Sequence, residues 1–345
     1  MRIHRGILAT VLLAALGLSG LAVGSYYWLL QLPHPSVATR DQLFRWLVLR
    51  DVAAEPPDVQ QALVDRLQEE LLAGLDANSN AEVLNERLRD QLRENVAALK
   101  RVWFELRTAQ YAACPDEEKF AFLEQQIAVV AAWSTFQLDL RDGELPPGAS
   151  PASQFFDDIE RWIHEAQGEQ HDQMVRGVQD GLVCWLATRS LEEQPMSMRR
   201  DLSMRIAREL DYGLDLGSKL GEGESSMSAP QRRQLAANGL LLMEAWLGLQ
   251  AQAYAQLEPA ARIDFLDARI DAVEQWNVAS LMSGEAEADN RPPDDSTASL
   301  AGLSKQVEIW IDRADPHERD AMRTLADDLR ARVVWRSLRS LLPSF

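Results

Sequence analysis

Two stretches of the chain carry apolar residues at every fourth position: Val59, Leu63, Leu67, Leu71 and Leu75 in one, and Met198, Leu202, Ile206, Leu210 and Leu214 in the other. This spacing lines one side of an α-helix and turns the intervening charged residues outward. Pro56 and Pro195 stand just ahead of the two ladders, where a fixed φ and a missing N–H are tolerated, and Gly74 and Gly213 fall near their ends, where a left-handed residue closes a helix. The pattern therefore predicts a core-facing helix with a defined start and stop in both places. Arg66 with Glu70, and Arg205 with Glu209, lie one turn apart and read as a solvated, paired face.

The ladders belong to a longer match. Trp46, Leu47, Arg50, Pro56, Leu63, Arg66, Glu70, Leu71, Gly74, Leu75 and Asp76 correspond, without a gap, to Trp185, Leu186, Arg189, Pro195, Leu202, Arg205, Glu209, Leu210, Gly213, Leu214 and Asp215. A small change of offset extends the match through Asn95, Trp103, Tyr111, Phe122 and Trp133 to Asn238, Trp246, Tyr254, Phe265 and Trp276, and a weaker one reaches from Trp162 to Trp310. Trp335, with Arg339, Ser340 and Leu341, resembles the Trp185 opening a third time and is expected to close the array. Self-similarity of this kind predicts stacked helical hairpins, although the spacing fits none of the standard repeat periods. A Trp recurring at one place in each hairpin reads as a packing residue in preference to a ligand contact.

The apolar run at residues 7–31 is of a different sort. It holds no charge and at about 1.5 Å per residue is roughly 37 Å long, enough to cross a bilayer, with Tyr26, Tyr27 and Trp28 at its far end. Arg2 and Arg5 in the preceding residues 1–6 place that end in the cytoplasm and the rest of the chain outside it. A cleaved signal peptide is the competing reading, which the length of the run and the lack of an A-x-A site disfavour.

The expected organisation is thus all-α: a cytoplasmic N-terminus at 1–6, a single transmembrane helix at 7–31, a linker at 32–40, a first helical repeat unit at 41–180, and a second at 181–345 that includes a closing C-terminal helix. The Pro-, Gly- and Ser-rich stretch at 140–153 and the acidic stretch at 283–299 read as breaks.

Composition narrows the function only by exclusion. A net charge of −18, without clustered Lys and Arg, argues against nucleic acid as a partner. Cys114 and Cys184 read as small buried residues, with a disulfide between them open if the domain is exported. His164 and His171 are seven apart and would share a face of an unbroken helix, yet a two-His match is weak and no metal is expected. No G-x-S-x-G, P-loop or dinucleotide turn occurs. No catalytic, cofactor-binding or metal-ligating residues are assigned, and no cofactor is expected. The sequence supports a membrane-anchored tandem-repeat scaffold or adaptor at the cell envelope, held by the bilayer through residues 7–31 and binding an unknown protein. The alternative is an envelope enzyme or a ligand-binding sensor subunit.

Overall fold

The computed structural model describes residues 32–75, 84–135, 151–220, 227–278, 280–282 and 296–341. The described residues form helices and connecting turns, as the periodicity requires, and include no strand. The helices are α1 (Arg40–Leu49), α2 (Pro57–Leu72), α3 (Glu86–Ala113), α4 (Asp116–Thr135), α5 (Pro151–Glu165), α6 (Gly168–Thr188), α7 (Met196–Asp211), α8 (Leu216–Leu220), α9 (Ala229–Ala255), α10 (Arg262–Gln275), α11 (Ser296–Arg313) and α12 (Pro316–Leu341). Short 3-10 turns occur at Pro35–Val37, Val52–Ala54 and Pro259–Ala261. No helix among the described residues is long and apolar enough to cross a membrane, and the span expected at 7–31 lies outside them.

Local chemistry sets the boundaries. Thr39 and Gln42 form a reciprocal capping box at the start of α1, as Ser228 and Gln231 do at the start of α9. Helices α2 and α7 follow Pro56 and Pro195 at their N-caps. Beyond their C-terminal ends Gly74 and Gly213 take φ of 82° and 91°, with Leu75 N–H donating to Glu70 O and Leu214 N–H to Glu209 O, both at 2.9 Å. That is the left-handed closure the two glycines predict. Helices α5 and α11 begin at Pro151 and Ser296, inside stretches expected to be breaks. In α5 the proline occupies the first turn, where its missing N–H costs nothing.

The chain divides into two compact units, one comprising residues up to Gln110 with Ala128–His171, the other Tyr111–Ile127 with Asp172 onward. In the first unit Leu43, Trp46, Leu47, Leu63, Leu67, Leu92, Leu99, Trp103, Trp133, Phe155 and Trp162 are buried. Trp103 stacks on Trp133 at 5.7 Å between ring centroids, and Trp46 Nε1 donates to Pro33 O at 2.9 Å. In the second unit α9 is the central helix, packed on α7 and α12, with Leu242, Trp246, Tyr254, Trp276, Trp310 and Met322 in one core.

One buried polar device occurs in each unit. Asn95 donates through Nδ2 to Leu47 O and Arg50 O, at 2.8 and 2.6 Å, and accepts from Val52 N–H at 2.9 Å. Asn238 makes the same three bonds to Leu186 O, Arg189 O and Leu191 N–H, at 2.6, 2.5 and 2.9 Å. A helix that ends in the core leaves carbonyls without intrahelical partners, and the carboxamide satisfies two of them while fixing the turn that follows. Each Asn thus clasps a Trp-bearing helix to the long helix of its unit.

Two expectations about side-chain environment need correction. The Arg–Glu pairs of α2 and α7 are not a solvated face: Glu209 is buried against Arg205 at 2.9 Å, and Glu70 accepts from both Arg66 and Arg40 at 2.8 Å. Trp185 is only partly buried and Trp335 is exposed, so α12 does not end in a closed core. Among the described residues no helix covers the turn around Trp335, where Val334 and Leu338 are exposed as well.

Candidate functional site

The histidines do not come together on one helix. Helix α5 ends at Glu165, one turn past Glu160, whose carbonyl bonds His164 Nδ1 at 2.8 Å, and α6 begins at Gly168 with φ of 55°. His171 therefore lies on a different helix, and the face shared by an unbroken helix does not exist. Among the described residues no three of His, Cys, Asp and Glu gather as a metal site would need. Cys184 is buried, with its thiol pushed up to about 12 by desolvation, and Cys114 is half-buried; both are free thiols.

One charged group missed in the sequence is Lys100. It is buried in the first unit, with Nζ 5.2 Å from the centre of the Phe155 ring, and desolvation lowers its pKa to about 8 against a smaller pull from Asp158. The corresponding residue of the second unit is Met243, so the sequence match contained the contrast without revealing its environment. An open groove of about 630 Å³ lies in the same unit between Ser36–Ala38 and α2, lined in part by Asp58, Asp65, Arg66 and Glu69. Arg66 is already engaged with Glu69 and Glu70, so the groove offers mostly carboxylates to solvent.

The most distinctive surface belongs to the second unit and is built by α10 and the last three turns of α12. Arg332 grips Asp267 with two bonds, Nε at 2.8 Å and an Nη at 2.5 Å, and one turn further on Arg336 reaches Asp271 at 2.9 Å. The guanidinium holds the Asp267 carboxyl below the usual carboxylate range. These rungs advance by four residues on both helices, so α10 and α12 run side by side in the same direction. Trp335 stands next to this ladder with Arg332 at 4.3 Å from its ring centre and Arg339 at 5.1 Å, two cation–π contacts on an exposed ring. Ala331, Val334, Trp335 and Leu338 follow at i, i+3, i+4 and i+7, the spacing of one helical face. All four are exposed: Val334 is 59%, Trp335 45% and Leu338 57% accessible.

That face contrasts with the end of α6, where Val183, Leu186 and Ala187 are buried in the core shared with Ile206 and Leu210 of α7 and Leu235 and Leu242 of α9, and Trp185 is partly covered by it. Sequence reasoning found the Trp335 segment but expected it to close the array, with its apolar side covered. Chemically, α10 and α12 present an aromatic and aliphatic strip with paired charges along one edge, suited to docking and without a convergent set of acid, base or nucleophile. No protein-family model, no curated protein and no solved structure matches the chain.

Proposed function

We propose that this chain is a membrane-anchored scaffold whose all-α region is a tandem duplication of a helical-hairpin unit and whose α12 end docks another polypeptide outside the cytoplasm. The observation that carries the docking reading is that Val334, Trp335 and Leu338 all stand in solvent, whereas at the aligned places of α6 Cys184 is buried and Trp185 and Thr188 are partly covered. Large apolar side chains clustered beside Arg and Trp are characteristic of interface centres. The duplication reading draws support from the recurrence of the Asn95 and Asn238 clasps, of the two left-handed glycines, and of the Tyr111–Asp180 and Tyr254–Asp328 hydrogen bonds at 2.5 and 2.6 Å. The anchor and its orientation rest on the apolar run at 7–31 and on Arg2 and Arg5.

A photo-crosslinking amino acid in place of Leu338, introduced in the full chain in intact cells, tests the docking reading. Light-dependent protein adducts at 338, with none from the same probe at an exposed site on α2 such as Asp58, are expected. Equal labelling at both sites, or none at 338, overturns it. Protease added outside intact cells should cleave the helical region, and protection there would reverse the orientation.

A further inference from the structure

We infer that residues 33–39 form a strap that seats the turn between α1 and α2 on the lipid headgroups, so that the first unit stands on the bilayer in one orientation instead of swinging from a flexible linker. The inference rests on the anchor reading above and names the surface of the unit that meets the membrane.

The stretch read as a linker at 32–40 is tied to the helices along its length. Trp46 Nε1 donates to Pro33 O at 2.9 Å, Pro35 and Ala38 are buried, Arg66 Nε donates to Ala38 O at 3.4 Å, and Arg40 holds Glu70 at 2.8 Å. These contacts also give the strap a direction. Arg40 meets α2 near its end at Glu70, Ala38 meets it one turn earlier at Arg66, and Ser36 and Val37 border the groove that Asp58, Gln61 and Ala62 line toward its start. Followed backward from Arg40, the chain runs along the hairpin toward the turn at 50–56 and passes Trp46, within one turn of the end of α1.

The apolar run ends two residues before Pro33, which is at most about 7 Å of extended chain, and a headgroup layer is roughly 5 to 7 Å thick. The tip of the hairpin beside Pro33 is therefore held at headgroup depth, whereas the other end of α2 is about 22 Å away along the helix. Leu49, Ala53, Ala54, Pro56 and Pro57 are exposed at the tip, and Gln60 Nε2 braces the turn by donating to Val52 O and Glu55 O, both at 3.0 Å. The charges there, Arg50, Asp51 and the half-buried Glu55, include both signs, so the tether sets the contact and attraction to anionic lipid does not. The flank of α2 suits a membrane less well. Its groove is bordered by Asp58, Asp65 and Glu69, carboxylates that a phosphate surface repels, which favours standing on the tip over lying on that side.

Reconstitution of the full chain into phosphatidylcholine vesicles that carry a headgroup quencher tests the seating. A fluorescent amino acid in place of Ala53, at the tip, should be quenched several-fold more than one in place of Leu72, which is exposed at the far end of α2. Inserting about twelve Gly and Ser residues between Gln31 and Leu32, a run that spans roughly 20 Å on average, should erase the difference while circular dichroism stays unchanged. Trp46→Phe keeps an aromatic ring and loses the donor to Pro33 O, and it should narrow the difference and speed hydrogen exchange of the Ala38 amide, which donates to Pro35 O at 3.1 Å. Equal quenching at 53 and 72, or stronger quenching at 72, overturns the seating while the anchor stands. A difference that survives the insertion also overturns it, since the tip would then bind lipid without the strap, as does an Ala38 amide that exchanges in the native chain as fast as in an unstructured peptide. A chain that does not float with the vesicles, or whose intact mass shows a start beyond residue 31, removes the anchor reading and the seating with it.

Discussion

Replacing Asn95 or Asn238 with alanine should open the joint between a Trp-bearing helix and its long helix. Asn95 is almost wholly buried and makes three bonds of 2.6 to 2.9 Å, two to carbonyls at the end of α1 and one from the buried residue Val52. A typical buried hydrogen bond contributes about 1 kcal/mol net, but a partner left unsatisfied costs about 1 to 3 kcal/mol. Water can reach some of the freed groups, so a loss of about 3 to 5 kcal/mol is expected for Asn95→Ala, a large share of the roughly 5 to 15 kcal/mol that holds a domain. Asn238→Ala should cost a similar amount, since its bonds repeat the same geometry.

Aspartate is the sharper probe, because it is nearly isosteric and differs in what it can donate. Both Nδ2 bonds go to carbonyl oxygens, so a carboxylate would face two acceptors with no proton to offer. Asn95→Asp should therefore be at least as damaging as Asn95→Ala despite filling the space. Hydrogen exchange supplies the local assay: the Val52 amide should lose protection in the Asn95 variants while Leu191 keeps its own, and the reverse should hold for the Asn238 variants. A loss below about 1 kcal/mol would refute the clasp, as would an Asp variant that behaves like the native residue.

Lys100→Met should stabilise the protein near neutral pH. The native state holds the Lys100 proton more weakly than the unfolded chain does, so burial of the charge opposes folding below pH 8, and the opposition fades as pH rises from there toward the ordinary lysine range. Denaturant titrations at two pH values should find a gain of about 2 kcal/mol at pH 7 that largely disappears by about pH 10, and a gain independent of pH would contradict it. Gly74→Ala and Gly213→Ala should each cost about 1 kcal/mol in the same titration, through backbone strain alone, because a Cβ at either site meets nothing within 4 Å.

How far the sequence could be read depended on whether a feature was local or required knowledge of a neighbour. The ladder of every fourth apolar residue, the preceding proline and the closing glycine are local, and α2 and α7 follow them closely. Asn95 and Asn238 were visible as an aligned pair, but nothing in the spacing discloses that their carboxamides reach back more than forty residues to the end of another helix. Lys100 looked like any lysine on an amphipathic helix, because burial depends on Phe155, which arrives from α5. The Arg66 and Arg205 pairs were misjudged for the same reason: an i,i+4 spacing gives the partner and leaves the solvent exposure undetermined.

Trp46, Trp185 and Trp335 make that limit concrete, since related segments end in three environments. Trp46 is buried because the segment ahead of α1 folds over it and Pro33 offers a carbonyl to its indole N–H. Trp185 rides on a helix whose other residues face the α7–α9 hairpin, and it is itself only partly covered. Trp335 has the same kind of helix beneath it and is flanked by Arg332 and Arg339, and among the described residues the strip around it remains in solvent. A motif of this length specifies which side of a helix is apolar, whereas burial is a property of the pair and needs the second surface. At the end of α6 a second surface covers Val183, Leu186 and Ala187 and leaves Trp185 half in solvent, whereas around Trp335 the described residues supply no such cover and the same apolar side stays exposed.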